Sequence, residues 1–359
     1  MAPIRARKAG DRVLPVPEPV PDSEPGPAAV RSSAVWAGAA AAVLAVVVIA
    51  SLLVGANPLP PSTVLDALLG EGSDESRFVV WEQRVPRTVA GLCVGAALGV
   101  AGALIQAFTR NPLADPGILG VNAGAAFAVA VGMTFLGVTS PFGYVWLSCA
   151  GALVLTAVVY GIGSAGRDGG GPIRLTVTGV AVGAVFSGLT TGLVLTHPDS
   201  FDRMRGWSAG SLLERGYDVV LPVLPLLAIG VLFAVLVAPG LNSLALGEDV
   251  ALAQGVNVRR VRLAVLASVT LLAGGATAIA GPILFVGLMV PHVVRWAVGA
   301  DQRSIILGSL LVAPALVLVA DVLGRVAVLP SEMPAGVVTA FVGAPVLIAL
   351  VRRPQASGL

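Results

Sequence analysis

Charge is scarce in this chain of 359 residues, and it is missing in long, well-defined stretches. Asp, Glu, Lys and Arg make up 12% of the residues, about half the share of an ordinary soluble domain. Runs without any charge cover 32–65, 88–109, 116–166, 175–198, 219–247, 263–294, 304–320 and 333–351. A charge near the bilayer centre costs about 2.5–3.5 kcal/mol on insertion, so membrane spans exclude charge and loops collect it. A soluble globule is therefore excluded. Cysteine is equally sparse: Cys93 and Cys149 both sit inside apolar runs, which excludes a disulfide framework or thiolate metal site and leaves small packing residues. There are two histidines, and no HExxH, paired-carboxylate or Ser–His–Asp arrangement that would support hydrolysis within a membrane.

What is present is apolar. The apolar share is 56% and the mean hydropathy is +0.91. Crossing the hydrocarbon takes about 20 residues of helix but only about 10 of a barrel strand. The run lengths therefore predict an all-α, polytopic membrane protein. Residues 116–166 are long enough for two spans, with a turn at Pro141-Phe142-Gly143. Residues 263–294 form either one long helix or two short ones broken near Gly281-Pro282. Two short ones bring the total to ten transmembrane helices with both termini cytoplasmic. On that arrangement the inner loops and tails carry 15 of the 22 basic residues, while the outer loops carry 11 of the 20 acidic ones. A single helix would put Arg295, Arg303, Arg352 and Arg353 outside, against the positive-inside rule.

The domain plan is a disordered cytoplasmic tail over 1–31, a ten-helix membrane domain over 32–353 and a short C-terminal tail over 354–359. The first alternates proline with polar residues and cannot build a core; it is a tether or a docking segment. No cleavable signal peptide is expected, because the first apolar run starts late and is too long. Gly91, Gly95 and Gly99 recur at four-residue spacing, a stripe that brings membrane helices into close contact for static packing or for sliding. His292, beside Pro291, is the one ionisable side chain well inside a run. It reads as an interhelix hydrogen-bonding residue and as the only candidate for an embedded enzyme or proton site.

Three loop segments carry the most specific information. The first is Arg84-Val85-Pro86-Arg87, with Arg110-Asn111-Pro112-Leu113-Ala114-Asp115-Pro116-Gly117 at the other end of the same span. The second is LALGEDVALAQGV over 244–256. The third runs GPILFVGLMVPHVVRW over 281–296 and continues through Ala320-Asp321 to Glu332-Met333-Pro334-Ala335-Gly336 and Gly343-Ala344-Pro345. In these motifs the chain resembles the FecCD/BtuC family over about residues 35–352. These are the permease subunits of ABC importers for iron–siderophore complexes, haem and vitamin B12.

The resemblance implies a ten-span subunit of the cell membrane that is not itself an enzyme. It would bind no cofactor of its own, because ATP and its magnesium sit on partners. Those partners would be a second permease copy or paralogue, two cytoplasmic ATP-binding subunits, an extracytoplasmic substrate-binding protein and the lipid bilayer, with no nucleic acid. Ferric siderophores are the expected substrate, cobalamin or haem the alternatives. An ion-coupled secondary carrier is the rival class, and it lacks intramembrane charges.

The resemblance also assigns loops. Residues 243–262 would form the ATPase-coupling loop, with a helix over 246–253 closed by Gly255. The coupling residues are Leu246, Gly247, Glu248, Ala251, Gln254, Gly255 and Val256. A merely basic anchor would explain Arg259, Arg260 and Arg262 but not this insert. Arg84, Arg87 and Arg325 would meet acidic residues of the binding protein, since arginine's planar fork suits carboxylates. Local pairing with Glu82 or Asp321 is the alternative. Gly170, Gly171, Pro172 and Ile173 are expected near the inner gate. The 199–218 loop is expected to hold an interfacial helix over 204–213 anchored by Trp207.

Overall fold

The computed structural model describes residues 27–165 and 171–352. The expected tail over 1–31 lies outside these as far as residue 26, as do Gly170 and residues 353–359. The described chain is helical throughout, and the first helix, α1 (Pro27–Leu53), already covers the last residues assigned to the tail. In order there follow α2 (Pro61–Leu68), α3 (Asp74–Phe78), a π-helical turn (Val79–Arg84), α4 (Val85–Thr109), a 3₁₀ turn (Pro116–Leu119), α5 (Val121–Phe135), α6 (Pro141–Ser164), α7 (Pro172–Leu195), α8 (Pro198–Ser208) and α9 (Tyr217–Val220). The second half holds α10 (Leu224–Ala245), α11 (Glu248–Ala253), α12 (Val258–Ala280), α13 (Val286–Val298), α14 (Gln302–Ala327) and α15 (Ala335–Val351).

Seven of the described helical segments are long and apolar enough to cross a membrane, and three shorter apolar helices, α5, α13 and α15, accompany them. Irregular backbone precedes two of the short ones. Before α5, Gly120 takes a left-handed turn at φ 79°. Before α13 the chain breaks at Gly281 (φ 74°) and Phe285 (φ 70°), where the Gly-Pro pair predicts a break. Such backbone is tolerated at membrane depth only where protein or an aqueous cavity satisfies its polar groups.

α4 is the axis of the bundle. It packs most extensively against α14, then α12 and α13, because its glycines remove the side chains that would hold those helices apart. A Cβ on Gly95 would fall 2.5 Å from the Pro314 Cα. On Gly91 it would meet the Leu318 and Leu212 side chains, and on Gly99 the Ala313 methyl and the Ser309 carbonyl. Gly102 approaches the Gly287 backbone so closely that any side chain is excluded.

One buried polar contact repairs the bundle locally. Pro291 inside α13 has no N–H to give the Gly287 carbonyl one turn earlier. Gln106 of α4, fully buried, donates there instead through Nε2 (3.2 Å) and also to the Leu288 carbonyl (3.0 Å). In hydrocarbon this substitution matters, because water is not available to replace the lost donor.

Candidate functional site: a capped arginine cluster and a hinged loop helix

Two regions, at opposite ends of α4, carry nearly all the predicted site residues. The first begins where α1 stops. Its last carbonyls have no helical partner and carry the negative end of the helix dipole, so cations are stabilising there. Two distant arginines supply them. Arg84 donates to the carbonyls of Leu52 (2.7 Å), Leu53 (2.9 Å) and Asn57 (2.7 Å). Arg325 donates to those of Ser51 (2.6 Å) and Val54 (2.7 Å).

Arg325, together with Arg87, also forms an ion network. Asp321, 1% exposed, receives Arg87 through Nε (3.0 Å to Oδ2) and Nη2 (2.7 Å to Oδ1). Its Oδ2 also receives Arg325 from one helical turn further along α14. The third nitrogen of Arg87, Nη1, lies 2.7 Å from Glu332 Oε2. Ser51 and Thr88 complete the cluster, their hydroxyls 2.8 Å apart. Arg84, Arg87 and Arg325 are all buried. Of the two local partners expected, Asp321 is used; Glu82 instead lines an adjoining cavity of about 420 Å³ that also touches Arg84, Arg87, Arg215, Arg325 and Glu332. Burial pushes the Arg215 guanidinium below its ordinary pKa, against the pull of Glu214.

The second region is the loop helix α11. Leu246 caps α10 rather than opening α11, and Gly247 follows at φ 124°, a conformation open essentially to glycine. The helix therefore starts at Glu248, two residues later than expected. Glu248 and Asp249 occupy its first turn, where acids complement the dipole. Gly255 (φ 77°) closes it: its N–H bonds to the Leu252 carbonyl and the Val256 N–H to that of Ala251, both at 2.9 Å, the paired bonds of a Schellman stop. Ala251 is fully buried, whereas Leu246, Val250, Leu252 and Gln254 are exposed. An ion pair of 2.8 Å from Arg262 to Glu248 ties α11 back to α12.

A cavity of about 330 Å³ beside α11 brings together Glu248, Arg262, Leu244, Arg110 and two of the expected gate residues, Pro172 and Ile173. Gly171 is the N-cap of α7 and Pro172 its first residue, a position suited to proline because that N–H would be unbonded anyway. Ile173 is largely exposed.

Two expectations are corrected. The helix in the 199–218 loop is α8, ending at Ser208 and not at residue 213, and Trp207 is buried in the protein rather than anchored at an interface. Sequence reading alone also misses Arg110 and Glu332 as partners. A basic residue directly after a long helix suggests a capping cation for that helix, but Arg110 reaches instead to the Leu244 carbonyl at the end of α10. His292 is buried and meets Trp296 edge-on, ring centroids 4.8 Å apart. No group of three or more His, Cys, Asp or Glu side chains among the described residues could hold a metal ion.

The chain that carries these two regions matches a known family. The model of the FecCD transport family covers residues 43–353. The chain belongs to this family. It is 50% identical over 308 residues to the ferric enterobactin transport system permease protein of Escherichia coli (strain K12), covering 86% of this chain and 92% of that one. It is 36% identical over 307 residues to an Fe(3+)-citrate import system permease protein of Bacillus subtilis (strain 168), covering 84% and 90%. Among solved structures, one described as an inward-facing conformation of a metal-chelate type ABC transporter superposes with a TM-score of 0.78 at 26% identity, covering 89% of this chain and 99% of the other.

Proposed function

We propose that this chain is the membrane-spanning permease subunit of an ATP-driven importer of ferric siderophores. The observation that carries the reading is α11: a short helix between two glycine hinges, outside the apolar spans, presenting Val250 and Leu252 outward, with Leu246 exposed just before the first hinge. Exposed apolar residues beyond the membrane mark a partner surface. The partners are two cytoplasmic ATP-binding subunits. ATP and its magnesium are held by them, so this chain binds no cofactor and catalyses no reaction. ATP-driven closure of those subunits displaces α11, and the helices it is attached to rock between inward-facing and outward-facing arrangements. Gly170, Gly171, Pro172 and Ile173 form the inner gate, the last two beside the same cavity as Glu248.

Ten crossings place both ends of the chain in the cytoplasm and the arginine cluster on the opposite face. There Arg87 receives a carboxylate of an extracytoplasmic binding protein, while Arg84 and Arg325, expected to do the same, are committed to the end of α1 and to Asp321 and hold the site together. Support comes from the open cavity they share. Arg87 has one nearly inaccessible partner, Asp321, and one more exposed partner, Glu332, with 16% of its side chain accessible. Glu332 is the carboxylate that an incoming one displaces. A second permease copy or paralogue completes the pathway.

Substrate class rests on the half-identical enterobactin permease. The test is uptake in cells deleted for this chain. Loss of a labelled ferric siderophore, restored by the wild-type chain, supports the reading. Loss of cobalamin or haem uptake alone keeps the machine and changes the cargo, and unchanged uptake of all three contradicts it.

A further inference from the structure

Helical structure runs unbroken from Asp74 to Thr109, so the segment ending in α4 reaches from the outer ion cluster to the inner face without a hinge. Arg110 caps its inner end in the left-handed conformation, φ 49°, which a non-glycine residue adopts only at an energetic cost. Its side chain makes a long-range contact. The Arg110 Nη2 donates to the Leu244 carbonyl, at the end of α10 and just before Gly247, the first hinge of α11. The Leu244 carbonyl, at the helix end, also accepts the Gly247 N–H at 3.1 Å, so Arg110 adds a second, charged donor to the turn that leads into α11. The contact is therefore a charge-assisted cap on the segment from which α11 hangs.

Among the described residues, two arginine contacts hold α11 and the end of α10 that leads into it. Glu248 to Arg262 ties α11 to α12, and the Arg110 cap ties its root to α4. The second leads along the axial helix to the arginine cluster itself, because α4 continues to Arg87 and its contact with Asp321, whereas α12, also long enough to cross, ends at the Gly281 break and carries none of the cluster's residues. Along the way α4 is fastened to α13 through Gln106 and to α14 through Gly95.

We infer that Arg110 is a positioning residue that couples α11 to α4, so that displacement of the loop helix by its cytoplasmic partner moves α4 and the arginine cluster as one body. The inference rests on the importer reading. Without Arg110, the partner subunits still seat on α11 and hydrolyse ATP, but the movement is not passed on.

The test uses the complete complex in lipid vesicles, with an iron-loaded triscatecholate siderophore as probe, and follows ATP hydrolysis and import together. Arg110→Ala is expected to keep hydrolysis while import falls at least about fivefold, the lower end of ordinary coupling between sites. Arg110→Lys, which keeps a donor cation, is expected to restore part of it. Import and hydrolysis falling in proportion, both staying at wild-type level, or both variants failing to assemble would overturn the inference. Absence of ATP-dependent import by the wild-type complex would instead sink the importer reading itself.

Discussion

Arg87 and Asp321 lie 234 positions apart in the chain and meet side by side, Nε at 3.0 Å from one carboxylate oxygen and Nη2 at 2.7 Å from the other. The pair joins the start of α4 to α14 at a site from which water is nearly excluded. Two cations share this one carboxylate, so neutralising it leaves Glu332 as the one anionic partner of Arg87 among the described contacts and leaves Arg325 with neutral acceptors. Asp321→Asn is expected to lower stability by about 3–5 kcal/mol, the usual effect of breaking a buried pair on one side. Thermal unfolding of the purified chain checks this; a loss below about 1 kcal/mol, the range of a surface pair, would contradict the buried network.

The glycine stripe makes a second prediction with an internal control. Gly95→Leu would drive a side chain into the Pro314 backbone, and overpacking of this kind costs about 1–3 kcal/mol or more. At Gly161 an added methyl group would meet nothing within 4 Å, so Gly161→Ala should be neutral or stabilising, since alanine is the better helix former. Equal melting temperatures for the two variants would refute close α4–α14 contact.

The hinge of α11 depends on a conformation. Gly255→Ala forces a side chain into the left-handed region, costing about 1–2 kcal/mol, and loosens the Schellman stop. Co-purification of the ATP-binding subunits should weaken, while insertion into the membrane stays normal. Val250→Glu, which places a charge on the exposed apolar face of α11, should abolish co-purification more completely. Undiminished co-purification of both variants would exclude α11 as the contact.

Asp301 gives a pH dependence whose sign follows from its surroundings. Burial alone would raise its pKa, but hydrogen bonds from Ser304 and Asn242 outweigh this and hold it below the ordinary carboxylate value. A depressed carboxylate stabilises the fold above its unfolded pKa and loses that contribution as pH falls through its lowered folded value. Asp301→Ala should remove this acid-sensitive part and the N-cap of α14, about 1 kcal/mol at neutral pH. Asp301→Asn should keep the cap and lose the pH dependence. Parallel pH–stability profiles for wild type and Asp301→Asn would contradict the assignment.

Much of the architecture is legible in the sequence because exclusion of charge is a property of each segment by itself. The long apolar helices track the charge-free runs, and Gly281-Pro282 marks the break between α12 and α13. Gly255 announces the end of α11, since a left-handed stop favours that residue type. Relationships between segments are not legible in the same way. Neither the meeting of Arg87 with Glu332 nor the capping of α1 by Arg84 and Arg325 has a local signature. The start of α11 is displaced from its expected position because Gly247, at φ 124°, is a hinge and not part of the helix. Trp207 has the charged neighbours of an interfacial anchor, but α8 turns it into the protein.

The most direct test of the account is import into vesicles holding this chain with its ATP-binding and substrate-binding partners. An iron-loaded triscatecholate siderophore should accumulate only with ATP inside the compartment that contains the ATP-binding subunits, and not with a proton or sodium gradient alone. Accumulation driven by an ion gradient in the absence of those subunits would contradict the importer reading and make the chain a secondary carrier.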